Sequence, residues 1–271
     1  MPLNPLPDIR ENIFVDHLDR SVTAVVMAEA AGVLSGINRG RSAMESLGLT
    51  FSTIFSEGDK IHMGQEIARV MGSPVQIAMA EEQIIGALSK SSGVATAARQ
   101  ARTRVNSRCR VVSGGWKKMP LEIKDLIRDA VHHGGIHQRI LEGPFVYLDK
   151  NYVRILGGVR HAVQSAVSLG REIVVQVRGE TGPVEEEAVA AAQAGAGVVM
   201  VDTGQQDDLS RVIRTLATKG LRSRVKIAFA GNITLEELDT LSQMDLDAVD
   251  IGYAVLDAPC LPMRFDVIKV D

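Results

Sequence analysis

From Cys109 onward, short apolar runs alternate with amphipathic stretches. The runs predict strands at 110–113, 145–148, 173–177, 198–202, 225–230 and 248–252. Between them, apolar residues recur at helical spacing over 119–133, 159–169, 184–195, 206–219 and 234–243. In the first of these helices Leu121, Ile123, Leu126, Ile127, Ala130 and Val131 mark the repeat. Pro120 suits its first position, and Gly134-Gly135 stops it. Thr234 and Glu237 have the spacing of a capping box. Such alternation predicts a parallel sheet with right-handed crossovers. Six units make an incomplete parallel α/β barrel.

The first hundred residues follow a different pattern. Residues 1 to about 24 read as an arm with Pro2, Pro5 and Pro7, then a short amphipathic helix from Ile9 to Leu18. A strand and a glycine-broken turn follow from Ala24, and 49–55 alternates as a half-buried strand. Short segments with Gly58, Gly64 and Gly72 suggest a small β-sandwich of lipoyl type. No Lys stands at a hairpin tip, so a lipoyl or biotin carrier is not expected. Residues 76–102 read as one long helix or two abutting ones, with Ser91-Ser92-Gly93 as the possible break. Ile77, Met79, Ile84, Ile85 and Leu88 form an apolar stripe that a monomer would struggle to cover. The expected domains are 1–104 (arm, α/β-sandwich, connecting helix) and 105–271 (barrel), with the C-terminal tail free to pack back on the first.

Composition changes this picture little. The 271 residues are 45% hydrophobic and 23% charged, values ordinary for a globular protein. A net charge of −3 gives no reason to expect nucleic acid or an anionic membrane as partner. Cys109 and Cys260 form no Cys-x-x-Cys, so neither a disulfide framework nor a zinc cluster is expected. The N-terminus lacks a signal-peptide core and no run reaches membrane-spanning length, which predicts a cytoplasmic protein.

Candidate chemistry gathers at strand ends, which open on one face of a barrel. Lys117, Lys118, His137, Arg139 and Lys150 suit an anion such as phosphate or carboxylate. Gln176 and Arg178 end the third barrel strand, and Asp202 and Thr203 the fourth. Ala230-Gly231-Asn232 end the fifth and Gly252-Tyr253 the sixth. Backbone N–H groups freed by these glycines could cradle a phosphate, although glycine after a strand is more often only a turn.

The stretch 104–152 contains Trp116-Lys117-Lys118-Met119, Ala130-Val131-His132-His133-Gly134-Gly135, His137-Gln138-Arg139 and Asp149-Lys150-Asn151-Tyr152. It resembles the quinolinate phosphoribosyltransferase family (nicotinate-nucleotide pyrophosphorylase, carboxylating). There the corresponding pieces are Thr-Arg-Lys-Thr, Ala-Val-x-x-Gly-Gly, His-Arg and Lys-Asp-Asn-His. Ser92-Gly93-Val94-Ala95-Thr96 is similar to the family's Ser-Gly-Ile-Ala-Thr, and the landmarks run from about Glu11 to Asp266.

The resemblance implies a barrel with an N-terminal sandwich, PRPP as donor of a 5-phosphoribosyl group, and Mg2+ with it. It also implies a homodimer whose sites are completed by a partner helix. Lys118, Asp202 and Gln176 then take the catalytic places, with Asp202 toward the metal. Lys117, His137, Arg139, Lys150, Glu82 and Asp149 fall on acceptor-binding places. Ala230, Gly231, Asn232, Gly252 and Tyr253 fall on phosphate-binding ones. Several positions depart from the pattern. Lys117 replaces Arg, Gln176 replaces Glu, and Glu82 stands where the family has an Arg that enters the neighbouring site. The family His is either His137, with one residue lost, or is replaced by Gln138. Asp149 and Lys150 are either swapped or shifted. These changes imply a phosphoribosyltransferase with an acceptor altered from quinolinate. A regulatory paralogue that binds a nucleotide or sugar phosphate is the alternative, and a true nicotinate-nucleotide pyrophosphorylase a third.

Overall fold

The computed structural model describes residues 8–271. Pro2, Pro5 and Pro7 of the expected arm lie outside that range. In chain order the first elements are α1 (Ile9–Ile13), β1 (Val22–Ala28), β2 (Gly32–Val33), α2 (Ile37–Ser46), β3 (Thr50–Ser52), β4 (Lys60–Ile61), β5 (Glu66–Gly72) and α3 (Pro74–Arg104). Next come β6 (Arg110–Val112), α4 (Leu121–His133), β7 (Phe145–Leu148), α5 (Lys150–Ile155), α6 (Val159–Val167), β8 (Glu172–Val177) and α7 (Val184–Ala194). The chain ends with β9 (Val198–Val201), α8 (Gln206–Thr218), β10 (Lys226–Ala230), α9 (Glu237–Leu241), β11 (Ala248–Asp250), α10 (Tyr253–Leu256) and β12 (Met263–Val270).

Two compact units emerge among the described residues: 8–99, 125–135 and 258–271 make one, and 100–124 with 136–257 the other. The first is built on an antiparallel sheet in the order β12-β1-β5-β3. The expected α/β-sandwich forms, its four-stranded sheet packing against helices rather than as a lipoyl-type β-sandwich, while β2 pairs only with β4. The core joins Val26 and Val70 of the sheet to Met44 of α2 and Ile84 and Leu88 of α3. The C-terminal strand supplies the sheet edge, with Val26 opposite Phe265. Helix α3 runs unbroken through Ser91-Ser92-Gly93. The Ser91 hydroxyl folds back on the Ala87 carbonyl, and a Cβ at Gly93 would meet the Pro259 carbonyl oxygen at 2.0 Å. Those residues therefore serve close packing rather than a helix break. Ile77, Ile84 and Leu88 are buried within a single chain, so most of the stripe expected to need a partner is already covered.

The second unit is the parallel half-barrel, in the order β6-β11-β10-β9-β8-β7. A single bridge between Val112 and His137 extends it beyond β6. Val174, Val198, Met200, Ala228 and Ala248 fill the interior, as expected of strands buried on both faces. Because every pairing is parallel, all six strand C-termini emerge at one rim. Among the described residues no helix is long and apolar enough to cross a membrane.

Candidate active site

A cleft of about 560 Å³ opens at that rim, entirely within the half-barrel unit. Lys117, Lys118, Arg139, Asp149, Lys150, Gln176, Arg178, Asp202, Ala230, Gly231, Asn232, Gly252 and Tyr253 all line it. Two expected site residues do not. His137 pairs through its backbone with β6, and its imidazole lies 3.3 Å from Glu142. The bend that follows, Gln138, Arg139 and Ile140, lines the cleft instead. Glu82 is exposed on α3 in the first unit.

The loop after β6 tightens into a single 3-10 turn, Gly115–Lys118, which sets both lysines at the rim. The Trp116 indole N–H donates to the Gln138 carbonyl at 3.1 Å and anchors that turn. Lys117 extends over the Tyr147 ring, its ammonium 5.7 Å from the centroid, and the Arg139 guanidinium covers Phe145 at 4.8 Å. Among the described residues the ammonium groups of Lys118 and Lys150 have neither a hydrogen bond nor an ion pair. They remain available to an anion.

Opposite them, Asp202 is gripped by Arg178 at 2.6 Å. Glu187 of α7 holds the loop that carries Arg178. Its buried carboxylate accepts from the backbone N–H groups of Arg178, Gly179 and Thr181 and from the Thr181 hydroxyl. Gln176 is a wall rather than a charge: its carbonyl accepts from the Lys150 N–H and its amide donates to the Tyr147 hydroxyl, both at 2.9 Å. Burial and the nearby carboxylates of Asp250 and Asp202 push the Tyr147 phenol well above its ordinary range. Asp149 and Lys150 both face the cleft, and Asp149 also caps α5 by accepting from the N–H groups of Asn151 and Tyr152.

The loops after β9 and β10 meet backbone to backbone. Gly231 has φ +117°, and a Cβ there would stand 2.4 Å from the Gly204 nitrogen. Asn232 also takes a left-handed φ of 55°. Among the described residues the N–H groups of Asn232, Gly252 and Tyr253 donate to no protein acceptor. Thr234 and Glu237 form the expected capping box, so the Thr234 N–H is spent on the Glu237 carboxylate at 2.8 Å. The helices that follow have only five and four residues. Any anion cradle here consists of loop N–H groups, with little help from a helix dipole.

Asp250 is the cleft residue that the sequence pattern did not expose. It ends β11, lines the cleft, and accepts the Gly114 N–H at 3.0 Å. Burial raises its carboxyl above the usual range, against the Gly114 hydrogen bond and the charge of Lys117. Its signal was weak, because Ala-Val-Asp-Ile reads as a strand broken by one acid.

Comparison with known proteins identifies the family and the fold. The N-terminal domain of quinolinate phosphoribosyl transferase matches residues 8–92, and its C-terminal domain matches residues 94–266. A probable nicotinate-nucleotide pyrophosphorylase (carboxylating) of Archaeoglobus fulgidus is 26% identical over 254 residues, covering 92% of this chain and 96% of that protein. The nicotinate-nucleotide pyrophosphorylase (carboxylating) of Rattus norvegicus is 27% identical over 242 residues, covering 88% and 79%. In fold, the nicotinate-nucleotide pyrophosphorylase of Pyrococcus furiosus superposes with a TM-score of 0.84 at 22% identity, over 96% of this chain and 73% of that one. The chain belongs to the quinolinate phosphoribosyltransferase family, a family of pentosyltransferases.

Proposed function

We propose that this chain moves a 5-phosphoribosyl group from PRPP to a small nitrogen heterocycle or related aromatic acceptor other than quinolinate. The observation that carries the reading is the division of charge inside one cleft. Lys118 and Lys150 carry uncommitted ammonium groups, and Asn232, Gly252 and Tyr253 offer unpaired backbone N–H groups, together a setting for phosphates. Asp202 faces the same space. As pyrophosphate departs, positive charge builds at the anomeric carbon, and a fixed carboxylate stabilises it while cations take up the leaving group's charge.

Mg2+ fits this donor set as an ion that arrives with the phosphates. Among the described residues no three His, Cys, Asp or Glu side chains gather as a metal site. Mg2+ bound with phosphates needs only one or two protein carboxylates and keeps several waters. Asp202 would supply that contact, and its grip by Arg178 must then loosen or be shared.

The acceptor side departs from what a dicarboxylate needs. Lys117 offers a point charge in place of a bidentate fork. Asp149 brings negative charge to the rim. Glu82 would bring more if α3 enters a neighbouring site in a homodimer. That dimer rests on the family resemblance. A species of 29.2 kDa alone in sedimentation at micromolar concentration would refute it.

Pyrophosphate release from PRPP, measured against a panel of pyridine and other aromatic acids, tests the function. Release with a monocarboxylate or neutral acceptor, and little with quinolinate, is expected. Rapid release with quinolinate would restore the ordinary family activity. The clamping of Asp202 by Arg178 and the neutral Gln176 favour a second reading, a paralogue that binds PRPP without turnover. Tight binding with no release for any acceptor would establish it.

A further inference from the structure

The three carboxylates of the cleft are committed differently. Asp202 is paired with Arg178, and Asp149 caps α5. Asp250 spends Oδ1 on the Gly114 N–H, while among the described residues its Oδ2 has no hydrogen-bond partner. A Cβ at position 114 would lie 3.2 Å from that oxygen, so glycine there leaves it uncovered. Asp250 is half-buried with this oxygen open to the cleft, and Lys117 and Lys118 act on it only through space. An accessible carboxylate oxygen has acceptor capacity to spare, and only water competes for it. No protein group claims it, so a ligand in the cleft can donate to it. Tyr147 and Met200 stand near one another in the same cleft, the phenol donating to the Met200 sulfur at 3.1 Å, and offer a wall for a flat ring.

We infer that Asp250 is a specificity-determining residue, whose Oδ2 accepts a hydrogen bond from an N–H group carried by the acceptor. The acceptor class that follows is a nitrogen heterocycle with an amide, amine or ring N–H substituent and at most one carboxylate. A second carboxylate placed at that point would face Asp250 with nothing between them. This rests on the phosphoribosyl-transfer reading for the cleft's role, whereas the donor preference can be measured without turnover.

Titration calorimetry on the full chain, with PRPP and Mg2+ added first, decides the matter. The probes are pyridine-3-carboxamide, pyridine-3-carboxylate and pyridine-2,3-dicarboxylate. A hydrogen bond to a charged group contributes about 1.5–3 kcal/mol, so the carboxamide should bind about 10- to 100-fold more tightly than the dicarboxylate. Asp250→Ser should erase most of that ratio. Asp250→Asn, which keeps the Gly114 contact and the shape, should shrink it. Tighter binding of the dicarboxylate to the wild type, no binding of any probe, or a ratio unchanged in both variants would overturn the inference. PRPP binding without a carboxamide preference sinks this inference alone. Failure of PRPP to bind sinks the transfer reading, and the probes still report on Asp250. Should either variant misfold, the wild-type ratio decides.

Discussion

Replacing Gly231 with Ala tests whether the two loops at the back of the cleft form one anion-binding surface. Two costs add. The backbone at φ +117° disfavours any L side chain, at roughly 1–3 kcal/mol for a sparsely populated conformation. The new methyl would also stand 2.4 Å from the Gly204 nitrogen and 2.8 Å from its Cα. Both neighbours are backbone and cannot rotate away, so the loops must part, and overpacking of this kind costs about 1–3 kcal/mol. The expected loss is therefore about 2–6 kcal/mol. At about 2.1 cal/mol/K of unfolding entropy per residue, 271 residues make that a fall in melting temperature of roughly 4–11 °C. Separation of the loops also moves the Asn232 N–H, so affinity for PRPP should fall by more than the loss of folded protein explains. Denaturant unfolding and PRPP titration, each done on the same folded preparation, check the two parts. A destabilisation below about 1 kcal/mol with unchanged PRPP affinity would refute the claim that this contact shapes the cradle.

Three further outcomes are expected. Lys118→Met should leave stability within about 0.5 kcal/mol, because the ammonium holds nothing in the protein, yet weaken PRPP binding about 10-fold or more. Cys109 is buried and its thiol is pushed up to about 11, chiefly by burial, so a thiol reagent at pH 8 should titrate only the exposed Cys260 in the native protein and both cysteines after denaturation. The raised Asp250 carboxyl costs stability once it ionises: the folded state binds its proton more tightly than the unfolded chain, so stability falls as pH rises from the ordinary Asp range. Unfolding of Asp250→Asn should accordingly show greater stability than wild type at pH 7.5, with the gain vanishing toward pH 3.5. A gain that persists at low pH would contradict this.

The half-barrel was legible because each strand is a short apolar run and each helix has a polar face, as between Val198–Val201 and Gln206–Thr218. What escaped was set by partners distant in sequence. Strand β12 was missed because its burial is partial and its pairing partner, β1, lies some 240 residues earlier, so no local signal announced it. Helix α5 is six residues long, too short for periodicity, and its start is fixed by the Asp149 cap. Strand ends located most of the cleft, because a parallel sheet sends them all to one rim. The direction of single side chains was not legible. His137 bridges Val112 and sets its imidazole beside Glu142, which leaves the bend after it to line the cleft. Asp202 looked free until Arg178, from the neighbouring strand, closed on it. Asp250 needed both Gly114 and the lysines beyond it before its place had meaning.

The most direct test of the account is binding of PRPP itself, followed by calorimetry on the wild-type chain with and without Mg2+. One PRPP should bind per chain, more tightly with Mg2+ present, and less tightly to both Lys118→Met and Asp202→Asn. Absence of binding at millimolar PRPP with Mg2+, or binding that neither substitution alters, would contradict it.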